Sequence, residues 1–235
     1  PAVSFPPLWN RVRKAIKNNG AKLIVIDPRR TVAARQADVW VQPRPGTDAM
    51  LGLAMMNVII SEGLYDKDFV RDWTNGFDRL AEHVQAYTPE KAQEVTWVAA
   101  DDIRRIARMF ATTRPACINA GEKLEQTRAG FRASQCVVLL QVLTGNVDVP
   151  GGGLMRLSGV HEKSYRLTRL MGDVKVVGAD QFPIFHKSGR VFYEGCMPNW
   201  GDLVLKGEPY RLKMLIVSGS NPALTWPNSA KVSEA

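Results

Sequence analysis

An acid followed by a proline and two arginines ends an apolar run near the start of the chain. The run is Leu23–Ile26, it is rich in β-branched residues, and Asp27, Pro28 and two arginines follow it. Such a run predicts a buried strand, which ends at Pro28 because proline cannot donate to a ladder. A helix is predicted before it over Pro7–Asn19, with Gly20 as its stop signal. In nucleotide-binding βαβ units the acid after the second strand hydrogen-bonds a ribose or a base, and Asp27 occupies that position.

A second candidate ligand site lies in Pro45-Gly46-Thr47-Asp48. It follows a brief predicted strand, Val39–Gln42, and precedes a predicted apolar helix, Ala49–Ser61. A helix that begins at the carboxyl end of a strand presents free backbone N–H groups where open α/β sheets bind ligands. Thr47 or Asp48 also has the side chain of a helix N-cap, and capping is the commoner use of these residue types. This motif alone leaves both functions open.

Composition restricts the possible classes of protein. The chain has 235 residues, 45% of them hydrophobic, which is enough for one large or two small domains with a core. The net charge is +8, but the basic residues are scattered and accompany no nucleic-acid recognition motif. A solvated surface and an anionic cofactor are therefore favoured over nucleic acid as a partner. Because no apolar run reaches roughly 18 residues, we expect no membrane insertion.

The first residue is not Met and no signal peptide is visible, so we interpret the chain as a fragment. A targeting signal would then lie outside it. The compartment, cytoplasmic or periplasmic, stays open.

The cysteines and histidines predict no metal site. Cys117, Cys136 and Cys196 are far apart and form no CxxC pair, which disfavours structural zinc and a local iron–sulfur cluster. Cys117 and Cys136 lie in apolar runs and are predicted to be small core residues. His161 and His186 lack the spacing of metal ligands.

The middle of the chain has helical periodicity and is predicted to serve packing. The predicted helices are Asp66–Trp73, Phe77–Ala86, one that begins at Thr88-Pro89, and Asp101–Ala111. A further buried strand is predicted over Ala116–Gly121. A long helix follows over Arg128–Leu143, with Arg128 and Arg132 one turn apart on one face and Gly145 as its left-handed cap.

A run of three glycines marks the predicted domain boundary. Gly151-Gly152-Gly153 permits either a close approach to a bulky group or a hinge between domains. We divide the chain into residues 1–147, a nucleotide-binding domain, and residues 148–235, a glycine-rich crossover and the start of a second half. Leu154–Tyr210 has poor periodicity and is predicted to lie near a binding crevice or an oligomer surface.

The end of the chain repeats the pattern of its beginning. A buried strand is predicted over Leu212–Val217, followed by the small-residue turn Ser218–Asn221. The next hexapeptide, Pro222–Pro227, matches Pro1–Pro6 in the order proline, alanine, aliphatic, hydroxyl, aromatic, proline. We interpret this match as an internal repeat, which predicts two related nucleotide-binding halves.

Four motifs in this order and spacing resemble those of the molybdopterin oxidoreductases of the dimethyl sulfoxide reductase family. They are Ile26-Asp27-Pro28-Arg29-Arg30-Thr31, Pro45-Gly46-Thr47-Asp48, Leu143-Thr144-Gly145-Asn146 with Pro150-Gly151-Gly152-Gly153, and Gly219-Ser220-Asn221-Pro222. The resemblance covers nearly the whole chain. It implies an α/β fold of Rossmann-like parallel sheets flanked by helices, in two pseudo-symmetric halves, as a fragment of a larger multidomain enzyme.

The resemblance also implies a cofactor and partners. Molybdenum or tungsten would be held between two molybdopterin guanine dinucleotides, for two-electron redox chemistry on a small-molecule substrate. An iron–sulfur cluster would bind outside this segment, and an electron-transfer iron–sulfur subunit is a possible partner. The segment alone is expected to be inactive. Two alternatives stay open: a non-redox family member, such as a hydratase or transhydroxylase, and a metal-free nucleotide-binding module.

Carried over residue by residue, the family pattern implies four groups of cofactor contacts: Asp27, Pro28 and Arg29 beside one guanosine; Gly46, Thr47 and Asp48 on the same nucleotide; Gly121 and Glu125 near the pterin or its phosphates; and Gly219, Ser220 and Asn221 on the second nucleotide. Asp48 would accept hydrogen bonds from guanine. Formate dehydrogenases of the family place an arginine near the metal where this chain has Gln135, which disfavours formate oxidation. Arg132, one turn earlier, is the one catalytic candidate, although a surface or phosphate-pairing role is the commoner one.

Overall fold

The computed structural model describes residues 2–121, 124–153, 200–208, 210–226 and 228–235. The chain divides into two compact units, Pro1–Leu157 and Ser158–Ala235. In the first unit the described elements are α1 Pro6–Asn19, β1 Ile24–Ile26, a 3-10 turn Ala34–Gln36, β2 Val39–Val41, α2 Asp48–Ser61, α3 Lys67–Trp73, α4 Phe77–Val84, α5 Pro89–Thr96, α6 Ala100–Thr112 and α7 Gly130–Leu143. In the second unit they are α8 Trp200–Lys206, α9 Pro222–Thr225 and α10 Ser229–Glu234.

The first unit contains a small parallel sheet. β1 pairs with β2 in a register that joins Ile24 to Val39 and Ile26 to Val41. Both strands form where they are predicted, but the burial predicted for β1 is wrong. Ile24 is only half-buried and Ile26 is 43% exposed. Among the described residues β1 has a neighbouring strand on one side only, so its side chains are incompletely covered.

Asp38 joins the beginnings of the two strands. Its carboxylate accepts a hydrogen bond from the Leu23 backbone N–H at 2.8 Å and another from Lys22 Nζ at 3.1 Å. The Leu23 N–H, and secondly the Lys22 ammonium, lower the pKa of the Asp38 carboxyl. Both contacts favour the ionised carboxylate, so they stabilise the sheet more strongly while Asp38 is charged.

The core of the first unit is built around α2, which contacts α4, α5, α6 and α7. A helix that is apolar on all sides is buried on all sides, and α2 buries Leu51, Ala54, Met55, Met56, Val58 and Ile59. α6 contributes the face predicted from its periodicity: Ile103, Ile106, Ala107 and Phe110 are buried. The helical part of the prediction is thus confirmed, with end points that differ by at most two residues.

α2 and α7 approach each other closely at Gly52. A Cβ built on Gly52 would lie 2.6 Å from the Cβ of Cys136. Cys136 is buried, as predicted, and burial raises the pKa of its thiol to about 11. The small residue on α2 therefore sets the distance between the two helices.

Two predicted strands are wrong. Residues 116–121 form no regular element, and Cys117 is exposed instead of lying in the core. Residues 212–217 are also irregular, and Met214 and Ile216 are about 80% exposed. A strand needs a backbone partner from another segment, and no described strand lies beside either run.

The start of α7 also differs from the prediction. The helix begins at Gly130, whose N–H donates to the Thr127 carbonyl at 2.9 Å, so Arg128 lies in the preceding turn. Arg128 and Arg132 therefore do not share a helical face. Gly145 adopts the left-handed conformation predicted for it, and Gly20, the predicted stop signal of α1, is also left-handed; each has φ of 64°.

In the second unit α8 packs against α10, and the rings of Trp200 and Trp226 meet edge to face at 5.1 Å. A helix follows each copy of the repeated hexapeptide, α1 in one case and α10 in the other. The two-fold relation of the halves stays a prediction. His161, His186 and Cys196 lie outside the described residues.

We expect Gly52→Ala to destabilise the chain. Overpacking against Cys136 costs about 1–3 kcal/mol, which exceeds the gain of about 1 kcal/mol in helix propensity. Removing the opposing Cβ with Cys136→Gly should relieve the clash, so a double-mutant cycle in urea unfolding should show a favourable coupling of about 1 kcal/mol or more. Additive effects of the two substitutions would contradict the close approach.

The contribution of Asp38 to stability should depend on pH. Because its folded pKa is lowered, the stabilisation is present above the ordinary value of 3.8 and is lost as the pH falls through the folded pKa. The free energy of unfolding of the wild type should therefore exceed that of Asp38→Asn at neutral pH, and the difference should shrink in acid. Urea unfolding at several pH values measures it. A difference that does not change with pH would contradict the assignment.

Candidate functional site

The carboxyl ends of β1 and β2 meet at one edge of the sheet because the strands are parallel. The turn after β1 is closed by Asp27, whose Oδ1 accepts from the Arg29 N–H at 2.8 Å. Two side chains at the end of β2 also bind this turn: Trp40 Nε1 donates to the Asp27 carbonyl at 2.9 Å, and Gln42 Nε2 donates to the Pro28 carbonyl at 2.6 Å. The backbone of the turn is thus held by β2.

The loop after β2 leads directly into α2. Gly46 has φ of 83°, with no atom near the position of a Cβ. Thr47 occupies the N-cap position, but its hydroxyl donates to the Arg44 carbonyl at 2.7 Å and makes no cap hydrogen bond. Asp48, the first residue of α2, is half-buried. The first N–H groups of α2 therefore lack the side-chain partner that capping would have supplied.

A cavity of about 620 Å³ lies at this edge. Its walls come from the turn after β1, from the end of β2 with the loop that follows, and from the connection between α5 and α6. The lining residues are Pro28, Trp40, Val41, Gln42, Pro43, Pro45, Trp97, Val98, Ala99 and Asp102. Its volume lies in the range of small-molecule sites, and its walls are polar and apolar in nearly equal measure.

Trp97 and Asp102 are lining residues that the sequence analysis missed. Trp97 follows α5 with φ of 65°, is 68% exposed, and lies 5.5 Å from the Arg44 guanidinium in cation–π geometry. Asp102 is half-buried in the first turn of α6, and its carboxylate makes no hydrogen bond or ion pair within the described parts of the chain. The available signal was a tryptophan directly after a helix, followed closely by two acids.

The connection between α5 and α6 is anchored in the core by Thr96, which is fully buried. The Thr96 hydroxyl donates to the Ala92 carbonyl at 2.7 Å and accepts from the Val98 N–H at 3.2 Å. The Thr96 carbonyl accepts from the Arg44 N–H at 2.8 Å, which joins this connection to the loop before α2. Trp97 and Arg44 are therefore positioned by the same buried residue.

The predicted site residues are only partly brought together. Pro28 lines the cavity, and Asp27, Arg29, Gly46, Thr47 and Asp48 belong to the two loops that border it. The others do not line it: Gly121 lies in an irregular segment, Glu125 in the turn before α7, and Arg132 in the first turn of α7, and all three are exposed. Gly219, Ser220 and Asn221 belong to the second unit and are exposed.

The charge at the bordering loops is suited to anions. The Arg29 side chain has no hydrogen bond or ion pair to any described residue, and neither does that of Arg30. Over the described ranges, no cluster of three or more His, Cys, Asp or Glu side chains could hold a metal ion. None of the described helices has the length and apolar character needed to cross a membrane.

These observations define a helix-rich α/β unit with a ligand-sized cavity at the carboxyl edge of parallel strands, the position at which α/β proteins bind ligands. The family model for molybdopterin oxidoreductases matches residues 1–235. The chain is 44% identical over 138 residues to acetylene hydratase of Syntrophotalea acetylenica, covering 59% of this chain and 19% of that protein. It is 41% identical over 159 residues to formate dehydrogenase H of Escherichia coli, covering 68% of this chain and 22% of that protein.

A solved structure agrees with these matches. Acetylene hydratase from Pelobacter acetylenicus aligns with a TM-score of 0.58 at 44% identity, over 59% of this chain and 19% of that one. The chain belongs to the molybdopterin oxidoreductase family, and its resemblance to the dimethyl sulfoxide reductase family is confirmed. It spans about a fifth of the length of the two relatives named above. The family implies a molybdopterin cofactor with molybdenum or tungsten.

Substitutions at Trp97 should reveal, in the free energy of unfolding, the cost of its left-handed backbone. At φ of 65° a non-glycine residue costs about 1–2 kcal/mol, so Trp97→Gly should be more stable than Trp97→Ala by about 1 kcal/mol. Trp73, a similarly exposed tryptophan at the last position of α3, is the matched control. Its backbone is helical and not left-handed, so glycine there should give no gain in stability over alanine. Urea unfolding of the four variants measures both differences, and the same order at both positions would contradict the assignment.

Proposed function

We propose that this chain binds the guanosine and pyrophosphate parts of a molybdopterin guanine dinucleotide in a larger molybdenum or tungsten oxidoreductase. The observation that carries the proposal is the cavity at the carboxyl ends of β1 and β2, bordered by the turn of Asp27 and the loop of Gly46. Family membership supplies the kind of cofactor, and the cavity supplies a place for its nucleotide end.

The residues at this edge fit such a group. The cavity is lined by aromatic and proline side chains, which suit a flat base. Arg29 and Arg30 carry charge that no described residue neutralises, and the uncapped N–H groups of α2 are donors for phosphate oxygens. One oxygen of the Asp27 carboxylate binds the Arg29 N–H, which leaves the other to accept from a ribose hydroxyl.

In this proposal the chain's residues bind and orient, while the metal–pterin group supplies the redox chemistry when it is bound. Gly121 and Glu125 would approach the pterin or its phosphates. Gly219, Ser220 and Asn221 would bind a second dinucleotide in a pseudo-symmetric, Rossmann-like half. A small-molecule substrate and an electron-transfer iron–sulfur subunit complete the proposal, with any iron–sulfur cluster held outside this chain.

A non-redox activity is the second candidate. The similarity to acetylene hydratase allows it, while the similarity to formate dehydrogenase H is nearly as high. Formate oxidation is disfavoured by Gln135, where the family pattern of formate dehydrogenases would place an arginine. Gln135 is exposed on α7, one turn after Arg132. Arg132 is retained as the catalytic candidate in either case.

The first test is the metal and guanine nucleotide content of the full-length enzyme purified anaerobically. We expect about one molybdenum or tungsten and two guanine nucleotides per chain, as a cofactor of two guanine dinucleotides requires. A folded sample with neither would overturn the proposal and favour a metal-free nucleotide-binding module. Assays of dye-linked oxidation and of water addition to acetylene would separate the redox from the non-redox activity.

A substitution at Asp27 tests whether the guanine nucleotide content depends on the residues at the edge of the cavity. Asp27→Asn keeps an oxygen for the Arg29 N–H and removes the charge that would bind the ribose. Loss of such a charged hydrogen bond costs about 1.5–3 kcal/mol, so guanine nucleotide retention should fall by roughly ten-fold or more. Asp101→Asn, whose side chain is fully exposed on α6, is the control and should retain the wild-type content.

A further inference from the structure

We infer that Asn146 is a positioning residue, which holds residues 116–121 in one place on the first unit. Gly121 ends this segment and approaches the pterin or its phosphates in the proposed function, on which the inference therefore rests. The support would come from the motif Leu143-Thr144-Gly145-Asn146 and from the glycine run of residues 151–153. Neither of them carries an assigned cofactor contact.

The side chain of Asn146 joins two segments of the chain. It is buried, with 2% exposed. Its Oδ1 accepts from the Ala116 N–H at 2.9 Å, and its Nδ2 donates to the Thr144 hydroxyl at 2.8 Å. Thr144 is fully buried, and its hydroxyl donates to the Leu140 carbonyl at 2.9 Å. Because the one hydroxyl proton is used there, Thr144 accepts from the amide, which directs the amide oxygen of Asn146 to Ala116.

The end of α7 accounts for the backbone of Asn146 but not for its side chain. The Gly145 N–H donates to the Val142 carbonyl at 3.1 Å, and the Asn146 N–H donates to the Gln141 carbonyl at 2.9 Å. These two bonds end a helix at a left-handed glycine and need no amide at the residue after it, where a hydrophobic side chain is common. The buried amide therefore serves the contact with Ala116.

The glycine run packs on the same asparagine. The Gly153 N–H donates to the Asn146 carbonyl at 2.8 Å. A Cβ built on Gly152 would lie 2.7 Å from the Asn146 carbonyl oxygen, and one built on Gly151 would lie 2.7 Å from Cγ of Pro115. The bulky group that these glycines approach is thus the protein itself. Such close packing is unfavourable to a hinge, and it holds Pro115, the residue before the segment, from a second side.

The segment that follows has one face on the core. Ala116 and Ile118 are half-buried and pack against the core cluster, whereas residue 117 between them and residues 119–121 after them are exposed. No described strand pairs with this segment, so Asn146 supplies at its start the kind of backbone contact that a neighbouring strand would supply. A shift of Ala116 would therefore move Gly121 as well.

The experiment compares variants of the full-length holoenzyme by hydrogen–deuterium exchange, by pterin content and by the EPR spectrum of the metal. Asn146→Leu removes both side-chain bonds at similar size. Because it leaves the Ala116 N–H without an acceptor, exchange at residues 116–121 should accelerate by roughly ten-fold or more. We expect part of the pterin to be lost and the g values of the remaining metal to shift, since the residues near the cofactor have moved.

Asn57→Leu is the matched control. Asn57 is half-buried on α2, and its Nδ2 donates to the Val84 carbonyl at 2.9 Å, so the substitution removes an amide bond that joins α2 to α4. It should lower the urea midpoint, as Asn146→Leu does, but it should keep the wild-type pterin content and EPR spectrum. A merely structural role of Asn146 would make the two variants alike in all measurements.

Two further variants approach the same contact differently. Asn146→Asp keeps an oxygen for the Ala116 N–H and should recover most of the pterin and the wild-type g values. Gly152→Ala adds a methyl group against the Asn146 carbonyl and should give the same changes as Asn146→Leu. Circular dichroism and the urea midpoint establish that each variant is folded. If Asn146→Leu does not fold, these two variants decide.

The outcomes distinguish this inference from the proposed function. Wild-type pterin content and g values in folded Asn146→Leu or Gly152→Ala would overturn the inference while the proposed cofactor site stands. Equal changes in Asn57→Leu would overturn it too. If the wild-type enzyme contains no pterin, both the inference and the proposed function are overturned. Changes in Asn146→Leu and Gly152→Ala that Asn146→Asp largely reverses support the inference.

Discussion

Parallel pairing of β1 with β2 is the constraint on which the candidate site depends. It brings the turn after one strand and the loop after the other to the same edge of the sheet. The bonds from Trp40 and Gln42 to the carbonyls of Asp27 and Pro28 then satisfy the turn internally. The turn therefore keeps its shape without help from a ligand, and the carboxylate of Asp27 needs only one oxygen to close it.

The helical core supplies the other wall of the cavity. α5 and α6 pack on α2, and buried Thr96 at the end of α5 fixes the backbone on both sides of itself by its hydroxyl and carbonyl hydrogen bonds. Trp97 is thus exposed but anchored one residue from the core. Close packing makes such an anchor rigid, as the approach of α2 to α7 at Gly52 illustrates. A rigid wall is what a site needs to hold a ligand in one orientation.

The elements that the sequence predicted well are those that local rules determine. Helix periodicity, caps and stop signals act within one segment, so α1 to α7 were predicted close to their observed bounds. Gly20 ends α1 as predicted, and Gly145 adopts the left-handed conformation predicted for it. The apolar runs at residues 116–121 and 212–217 were predicted as strands from their composition alone. A strand also needs a neighbour, which periodicity does not report, and neither run has one in the described structure. Cys117 is exposed for the same reason.

At the site, too, the residues in local motifs could be predicted, while those brought in by tertiary packing could not. Motifs located the turn at Asp27 and the loop at Gly46, but Trp97 and Asp102 lie far along the chain and reach the cavity only through packing on α2. Nothing in the letter sequence marks Trp97 as left-handed, since glycine is the residue expected there. That conformation costs about 1–2 kcal/mol, and the ring gains little in return while it stays exposed to water. The conformation follows from the end of α5, where Trp97 is the C-cap residue and its N–H donates to the Gln93 carbonyl at 2.9 Å. The helix thus determines the backbone of the residue that ends it, and the Trp97 ring reaches the cavity wall because α5 packs on α2.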